Sequence, residues 1–536
     1  MLKTSSLATW GAAVLLLSSL SSCEDILEQY FPKPTPTPPT IPTFPPLGQD
    51  IAFYALSAGT RLDAYSTKDA ATRTSSVAIT GLQSGETILA IDFRPATGQL
   101  YGVSSASRLY VINQNTGTAR AIGSGAFTPA LGGNLVGFDF NPTVDRIRLV
   151  TSTGLNLRLN PETGTVAATD GIINGATNVA LTGAAYTNNV PATASTALYA
   201  IDAAAKQLYL VNPPNAGAAV PVGNLNLNIN GGGGFDIDAR TGTALGLYAV
   251  NGNPTLFAVD LASGAARPLA QYAANAAYTG LAIPTRPVLY AARYIQGIRG
   301  ERFNDLLIVD PTSSSAYGTR RIIGLEREQL VDVDFRPATG QLYGFTQSMQ
   351  LYTIDLGTFT ATLVATIPFT MDSFGYAIDF DPVTDRLRIV SSTGQNLRVN
   401  PTDGTVVEDE RLNPSTQAIY GVAYTNSTTG ATTTDLYALG LDRSTLPINS
   451  LNKLYRLNSP NAGTLTEVGT VATDERNGIY QFDISGTTNT GYAIGNNGRN
   501  SKSLYTIDLA TGRATELSMV GIFDPQIVGV AAGLGF

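Results

Sequence analysis

Residues 92–102 read DFRPATGQLYG, and residues 334–344 read the same letters again, 242 positions later. A chain that repeats itself at this distance folds either as two copies of one unit or as one unit made of two like halves. The likeness continues in order along the chain. FDFNPTVDRIRLVTSTGLNLRLNPETGTV (138–166) and IDFDPVTDRLRIVSSTGQNLRVNPTDGTV (378–406) agree at 18 of 29 positions. GAAYTN (183–188) answers GVAYTN (421–426), and LFAVDLASGAA (256–266) answers LYTIDLATGRA (504–514). The repeated halves run over roughly 50–284 and 288–536.

Each half has a shorter period of its own. TILAIDFR, the turn PATG, QLYGVSS, RLYVINQ, the turn NTG and TARAIG (87–123) make four short strands joined by turn-forming residues. Similar units follow at 135–167, 179–223 and 233–270, a spacing of about 45 residues that marks β-propeller blades. Each half opens with three strand-like pieces and closes with one: IAFYALS, TRLDAYS and TSSVAI against AYTGLAIP, then VLYAARY, NDLLIVD and RRIIG against QIVGVAAGLGF. Pairing the last piece with the first three completes a fifth blade and removes the exposed edges. The expectation is an all-β chain of two tandem five-bladed propellers. A single ten-bladed ring is the alternative, because AIPTRPVLYA joins the halves through a short loop.

The first 49 residues stand apart from this repeat. Lys3 and the apolar run LATWGAAVLLLSSL (7–20) read as a targeting segment too short to span a membrane comfortably. It ends in Leu20-Ser21-Ser22-Cys23, which resembles the lipobox of bacterial lipoproteins and implies removal of residues 1–22 and lipidation of Cys23. Residues 23–49 form a linker with eight prolines between positions 32 and 46. Polyproline II stiffness there would hold the domains roughly 45 Å from the membrane. Glu24-Asp25 resembles the export signal of Bacteroidetes lipoproteins, implying an outer-membrane protein exposed at the cell surface.

Composition narrows the chemistry. The chain carries 33 basic and 41 acidic residues, no His, and a single Cys that falls in the lipobox. Nucleic acid is a poor partner for a net charge of −8 with no basic run. Ser-His-Asp and Cys-His catalysis are excluded, as are His or Cys metal sites.

The runs DFxPxTGxLYG, DFxPxxDRxRxVxxxGxNxRxNPxxG and GxAYTN resemble the bacterial domain of unknown function 4394, in two copies over nearly all of 50–536. That resemblance implies the fold and a bacterial origin, and it brings no catalytic residues.

Three sets of residues are candidates for a site. Asp92, Asp139 and Asp236, with their counterparts Asp334, Asp379 and Asp483, fall near the ends of innermost strands. There they either cap the turns that follow or ring the channel as oxygen ligands for Ca²⁺. Arg146 and Arg148, then Asn156, Arg158 and Asn160, alternate with apolar residues and so share strand faces. The second copy repeats them as Arg386, Arg388, Asn396, Arg398 and Asn400. Buried guanidiniums need carboxylates such as Asp139 or Asp145, so an inter-blade ion network is expected, with an anionic or polyhydroxylated ligand as the alternative. The Leu-Tyr pairs 109–110, 351–352 and 504–505 fit packing between blades better than sugar platforms.

The functional expectation is a non-enzymatic, surface-anchored binding or scaffold module for a protein or glycan of unknown identity. A carboxylate-dependent glycoside hydrolase and a structural envelope component are the alternatives.

Overall fold

Short runs of Val, Ile, Leu and Tyr, cut by Pro-, Asn- and Gly-containing turns, form ten four-stranded antiparallel sheets. The computed structural model describes residues 43–536 apart from 298–299, 314–315, 373–374, 416, 443–451, 472–477, 497–501 and 518–525. The signal segment, Cys23 and most of the proline-rich linker lie outside the described residues.

The ends of each half decide between two rings and one. Tyr278–Ala282 pairs antiparallel with Ala52–Ser57, and Ile527–Ala532 pairs with Leu289–Gln296. Each half therefore completes its opening blade with its own last strand. In the first half the innermost strands Ile88–Phe93, Val136–Asn141, Gly183–Tyr186, Ile229–Ile237 and Tyr278–Ala282 pack side by side in a closed circle. Leu330–Arg336, Tyr376–Asp381, Gln417–Tyr424, Ile479–Ile484 and Ile527–Ala532 do the same in the second. The ten-bladed alternative fails here, because it requires strand 278–282 to leave its own half.

Packing between blades supplies the core. One apolar cluster joins Tyr101, Val103, Leu109 and Val111 of one blade to Phe138, Phe140, Leu149 and Leu157 of the next. Burying side chains of this size stabilises by roughly 1.5–3 kcal/mol each. The Leu-Tyr pairs belong to this layer: Leu109, Tyr110, Leu351, Tyr352, Leu504 and Tyr505 are all buried. The innermost strands approach one another closely, and a Cβ on Gly234 would overlap Leu281 N of the adjacent strand.

The duplicated DFRPATGQLYG stretches meet each other across the two rings. Arg94, fully buried, donates from Nη1 to Gly340 O at 3.1 Å. Its other nitrogens bind Asp145, with the Nε bond at 2.9 Å, and Glu162 at 3.1 Å. Tyr290 Oη donates to Ala96 O at 2.9 Å, Gly535 N donates to Thr97 O at 2.8 Å, and Arg146 pairs with Asp355 at 2.8 Å. Gly98, at φ +72°, lies flat against the Phe536 ring, where any side chain would collide. The two copies have different neighbours at this contact. Arg336, the counterpart of Arg94, binds Asp385 and Tyr343 within its own ring and stays partly exposed.

Candidate functional site

At the centre of each ring three aspartates converge. Asp92, Asp139 and Asp236 each offer an oxygen within 4.8 Å of the others, and Asp334, Asp379 and Asp483 repeat the arrangement. All six are buried. At the equivalent position of the remaining blades stand Ala185 and Ala282 in the first ring, and Ala423 and Ala531 in the second.

The carboxylates tie one blade to the next. Asp92 Oδ2 accepts from Phe140 N at 2.8 Å, Asp139 Oδ1 from Tyr186 N at 3.1 Å, and Asp236 Oδ2 from Ile283 N at 2.6 Å. In the second ring the donors are Phe380 N at 2.7 Å, Tyr424 N at 3.2 Å and Ala532 N at 2.6 Å. Each donor sits on the innermost strand of the following blade or, for Ile283, directly after its last residue. Capping therefore occurs, but not of the following turn as the sequence suggested. The side chain points along the ring, and the adjacent strand presents its amide closer than the turn does. Three of the four carboxylates that follow a blade offering Ala also serve their own strand: Ile237 N binds Asp236 Oδ1 at 2.6 Å, Phe335 N binds Asp334 Oδ1 at 2.7 Å, and Ile484 N binds Asp483 Oδ1 at 2.6 Å, with Asp92 the exception.

Electrostatics at these centres are unfavourable to charge. Burial, with Asp236 beside it, pushes the Asp92 carboxyl far up, and burial with Asp92 and Asp236 does the same to Asp139. Burial pushes Asp236 and Asp483 up to about 7. Asp334 and Asp379 are raised by burial and then by their neighbouring carboxylates, and Asp379 shares a hydrogen bond with Asp483. A fourth carboxyl, Asp332, stands two residues before Asp334 on the same innermost strand of the second ring, half-buried, bound to Ile378 N at 2.9 Å and raised by burial. Sequence reasoning passed over it, although VDVDF against AIDF showed the extra acid.

The arginine blade is an ion network. Arg148 and Arg158 lie directly opposite each other on paired strands, as do Arg388 and Arg398. Like charges in that position repel unless something bridges them. Asp170 bridges the first pair, binding Arg148 Nη1 at 2.6 Å and both Nε and Nη2 of Arg158 at 2.9 Å. Asp409 bridges the second, at 3.2 Å to Arg388 and at 2.7 and 2.8 Å to Arg398. These carboxylates, rather than Asp139 or Asp145, are the partners. Arg148 also donates to Asn156 at 2.8 Å, Asn215 at 2.7 Å and the Tyr186 hydroxyl at 3.3 Å. Arg388 donates to Asn396, Asn461 and Tyr424 in the same way. Asn160 and Asn400 cap their own turns, Arg146 faces the second ring, and Arg386 is exposed.

The first ring opens to solvent at the end of its channel away from the aspartates. A cavity of about 300 Å³ there is lined by Thr87, Ile88, Leu89, Asn134, Leu135 and Thr279. Beneath it Ile91, Gly137, Phe138, Gly183, Gly234 and Gly280 line a neck of about 10 Å³.

Comparison with protein families matches residues 61–282 and 305–531 to "Domain of unknown function (DUF4394)". No curated protein sequence matches. Among solved structures, the extracellular domain of BT4673 from B. thetaiotaomicron aligns at 10% identity and a TM-score of 0.24, over 92% of this chain and 80% of that one. PorZ, a bacterial surface component of the type-IX secretion system of Porphyromonas gingivalis, aligns at 12% identity and a TM-score of 0.26, over 89% and 75%. Likeness this weak carries no inference about ligand or activity.

Proposed function

With both of its halves matched, the chain belongs to the family described as Domain of unknown function (DUF4394), and we propose that it is a lipid-anchored envelope protein whose paired propellers serve as a non-enzymatic binding scaffold. The observation that carries this reading is the commitment of the ring carboxylates. In a chain without His they are the groups best suited to acid–base work, yet all six are shut from solvent and bound to backbone amides. Glycoside hydrolysis asks for two carboxyl groups about 5–9.5 Å apart across an open cleft. Here the oxygens crowd within 4.8 Å at the closed centre of a ring.

Cys23 is the lipidation site in this reading, and the proline-rich linker is the spacer that lifts the propellers off the outer membrane at the cell surface. Among the described residues no helix is long and apolar enough to cross a membrane. The partner is a protein or glycan met by the outer faces of the rings, since a net charge of −8 disfavours nucleic acid. Fractionation of cells carrying Cys23→Ser tests the anchor: the protein should move from the membrane to the soluble fraction, and unchanged fractionation would remove the lipid from the account. Protease added to intact cells should release the propellers by cutting near 30–48. Glycan turnover abolished by Asp139→Asn in a variant of unchanged stability would replace the scaffold by the glycosidase.

A further inference from the structure

The two aspartate centres are not equivalent, and the difference points to a ligand in one of them. In the second ring, Asp379 shares a hydrogen bond with Asp483, so one proton held between them offsets the crowding of charge. The first ring lacks this solution. Asp139 Oδ2 is buried and has no hydrogen-bond partner, although its side chain is 1% exposed. Asp92 Oδ1 is buried and unbonded as well, with the Phe93 N–H approaching it without completing a hydrogen bond. Both residues belong to the cluster whose oxygens lie within 4.8 Å of one another. Among the described residues no Lys or Arg forms an ion pair with Asp92, Asp139 or Asp236. An unpaired buried carboxyl oxygen is costly, and two of them at one point call for a partner that the described residues do not supply.

We propose that Asp92, Asp139 and Asp236 hold a calcium ion at the centre of the first propeller. Calcium takes oxygen ligands at about 2.3–2.6 Å, so ligand atoms on opposite sides of the ion stand up to about 5 Å apart, which covers the spacing here. Toward the channel mouth lie the open cavity and, sharing Val136 and Gly233 with it, the glycine-lined neck of about 10 Å³. The ion's place at the hub gives it a structural role, joining three blades that already share amide contacts. This inference is independent of what the scaffold binds.

The test uses the mature chain carrying Cys23→Ser, stripped with a chelator and titrated with CaCl₂ by calorimetry, with thermal melts in parallel. The expected result is a single saturable site and a melting temperature several degrees higher with calcium. Asp139→Asn keeps an oxygen for Tyr186 N and should fold, yet weaken calcium binding at least tenfold. Asp92→Asn should do likewise, while Asp379→Asn in the second ring leaves binding unchanged. No calcium-dependent heat or melting shift would overturn the proposal. So would binding that survives both first-ring substitutions, or a site that takes Mg²⁺ in preference to Ca²⁺.

Discussion

Replacing Arg148 by Ala removes the centre of the arginine blade. The Arg148 side chain is 2% exposed and donates to Asn156, Asp170, Asn215 and Tyr186. Its loss leaves the buried Asn156 Oδ1 without that donor, takes one of Asp170's two arginines away, and opens a cavity. Breaking a buried pair in this way costs about 3–5 kcal/mol. Arg158→Ala acts on the same carboxylate with a different outcome. Arg158 is 34% exposed, Asp170 keeps its bond to Arg148, and water screens what is lost. The expected cost is about 0.2–1 kcal/mol. The second copy is an internal replicate, with Arg388 2% and Arg398 31% exposed. Guanidinium unfolding followed by far-UV circular dichroism gives the four differences, and Arg148→Met separates lost charge from lost volume. Arg148→Ala within about 1 kcal/mol of the parent, or Arg158→Ala as costly as Arg148→Ala, would refute the network and make this blade a ligand site.

Three further outcomes can be measured. Asp483, pushed up to about 7 from an unfolded value near 3.9, contributes stability that is full below about pH 4 and lost as pH rises through 7, by about 4 kcal/mol. Asp483→Asn should flatten the fall in stability between pH 5 and 8, which urea melts at each pH would show. Asp170 has the opposite sign: burial raises it, hydrogen bonds from Arg158 and Arg148 outweigh that, and its contribution is lost as pH falls below the usual carboxylate range. Residues 48–285 alone should unfold cooperatively, because Tyr278–Ala282 closes the first ring onto Ala52–Ser57. Uncovering buried Arg94 should make the fragment less stable than the whole chain, and an unfolded fragment would contradict ring closure.

The ring count was legible because the leftover strands at 51–79 and 278–283 have no other partner within their half. The ends of the contacts were not. Asp170 escaped notice because the copies slip by one residue after position 166: Arg148 matches Arg388 at a separation of 240, but Asp170 matches Asp409 at 239. An ungapped comparison sets Glu410 opposite Asp170 and hides the bridge. The direction of the ring aspartates was also hidden, since sequence shows the turn that follows Asp92 and not the strand of the neighbouring blade. Nothing in the repeated DFRPATGQLYG reveals that its two copies touch, because Arg94 and Arg336 are the same residue in the same motif and only their surroundings differ.

If the ring carboxylates bind each blade to the next, the amides they hold should be among the slowest in the molecule to exchange with solvent. Hydrogen exchange resolved to single residues reads Phe140, Tyr186, Ile283, Phe380, Tyr424 and Ala532 directly. Asp92→Ala should speed exchange at Phe140 by about 10–100-fold, equivalent to roughly 1–3 kcal/mol for a lost buried hydrogen bond. Asp139→Ala should do so at Tyr186, with each variant leaving the other's amide protected. Rapid exchange of these six amides in the parent protein, or no change at Phe140 in Asp92→Ala, would show that the carboxylates stand free of the backbone.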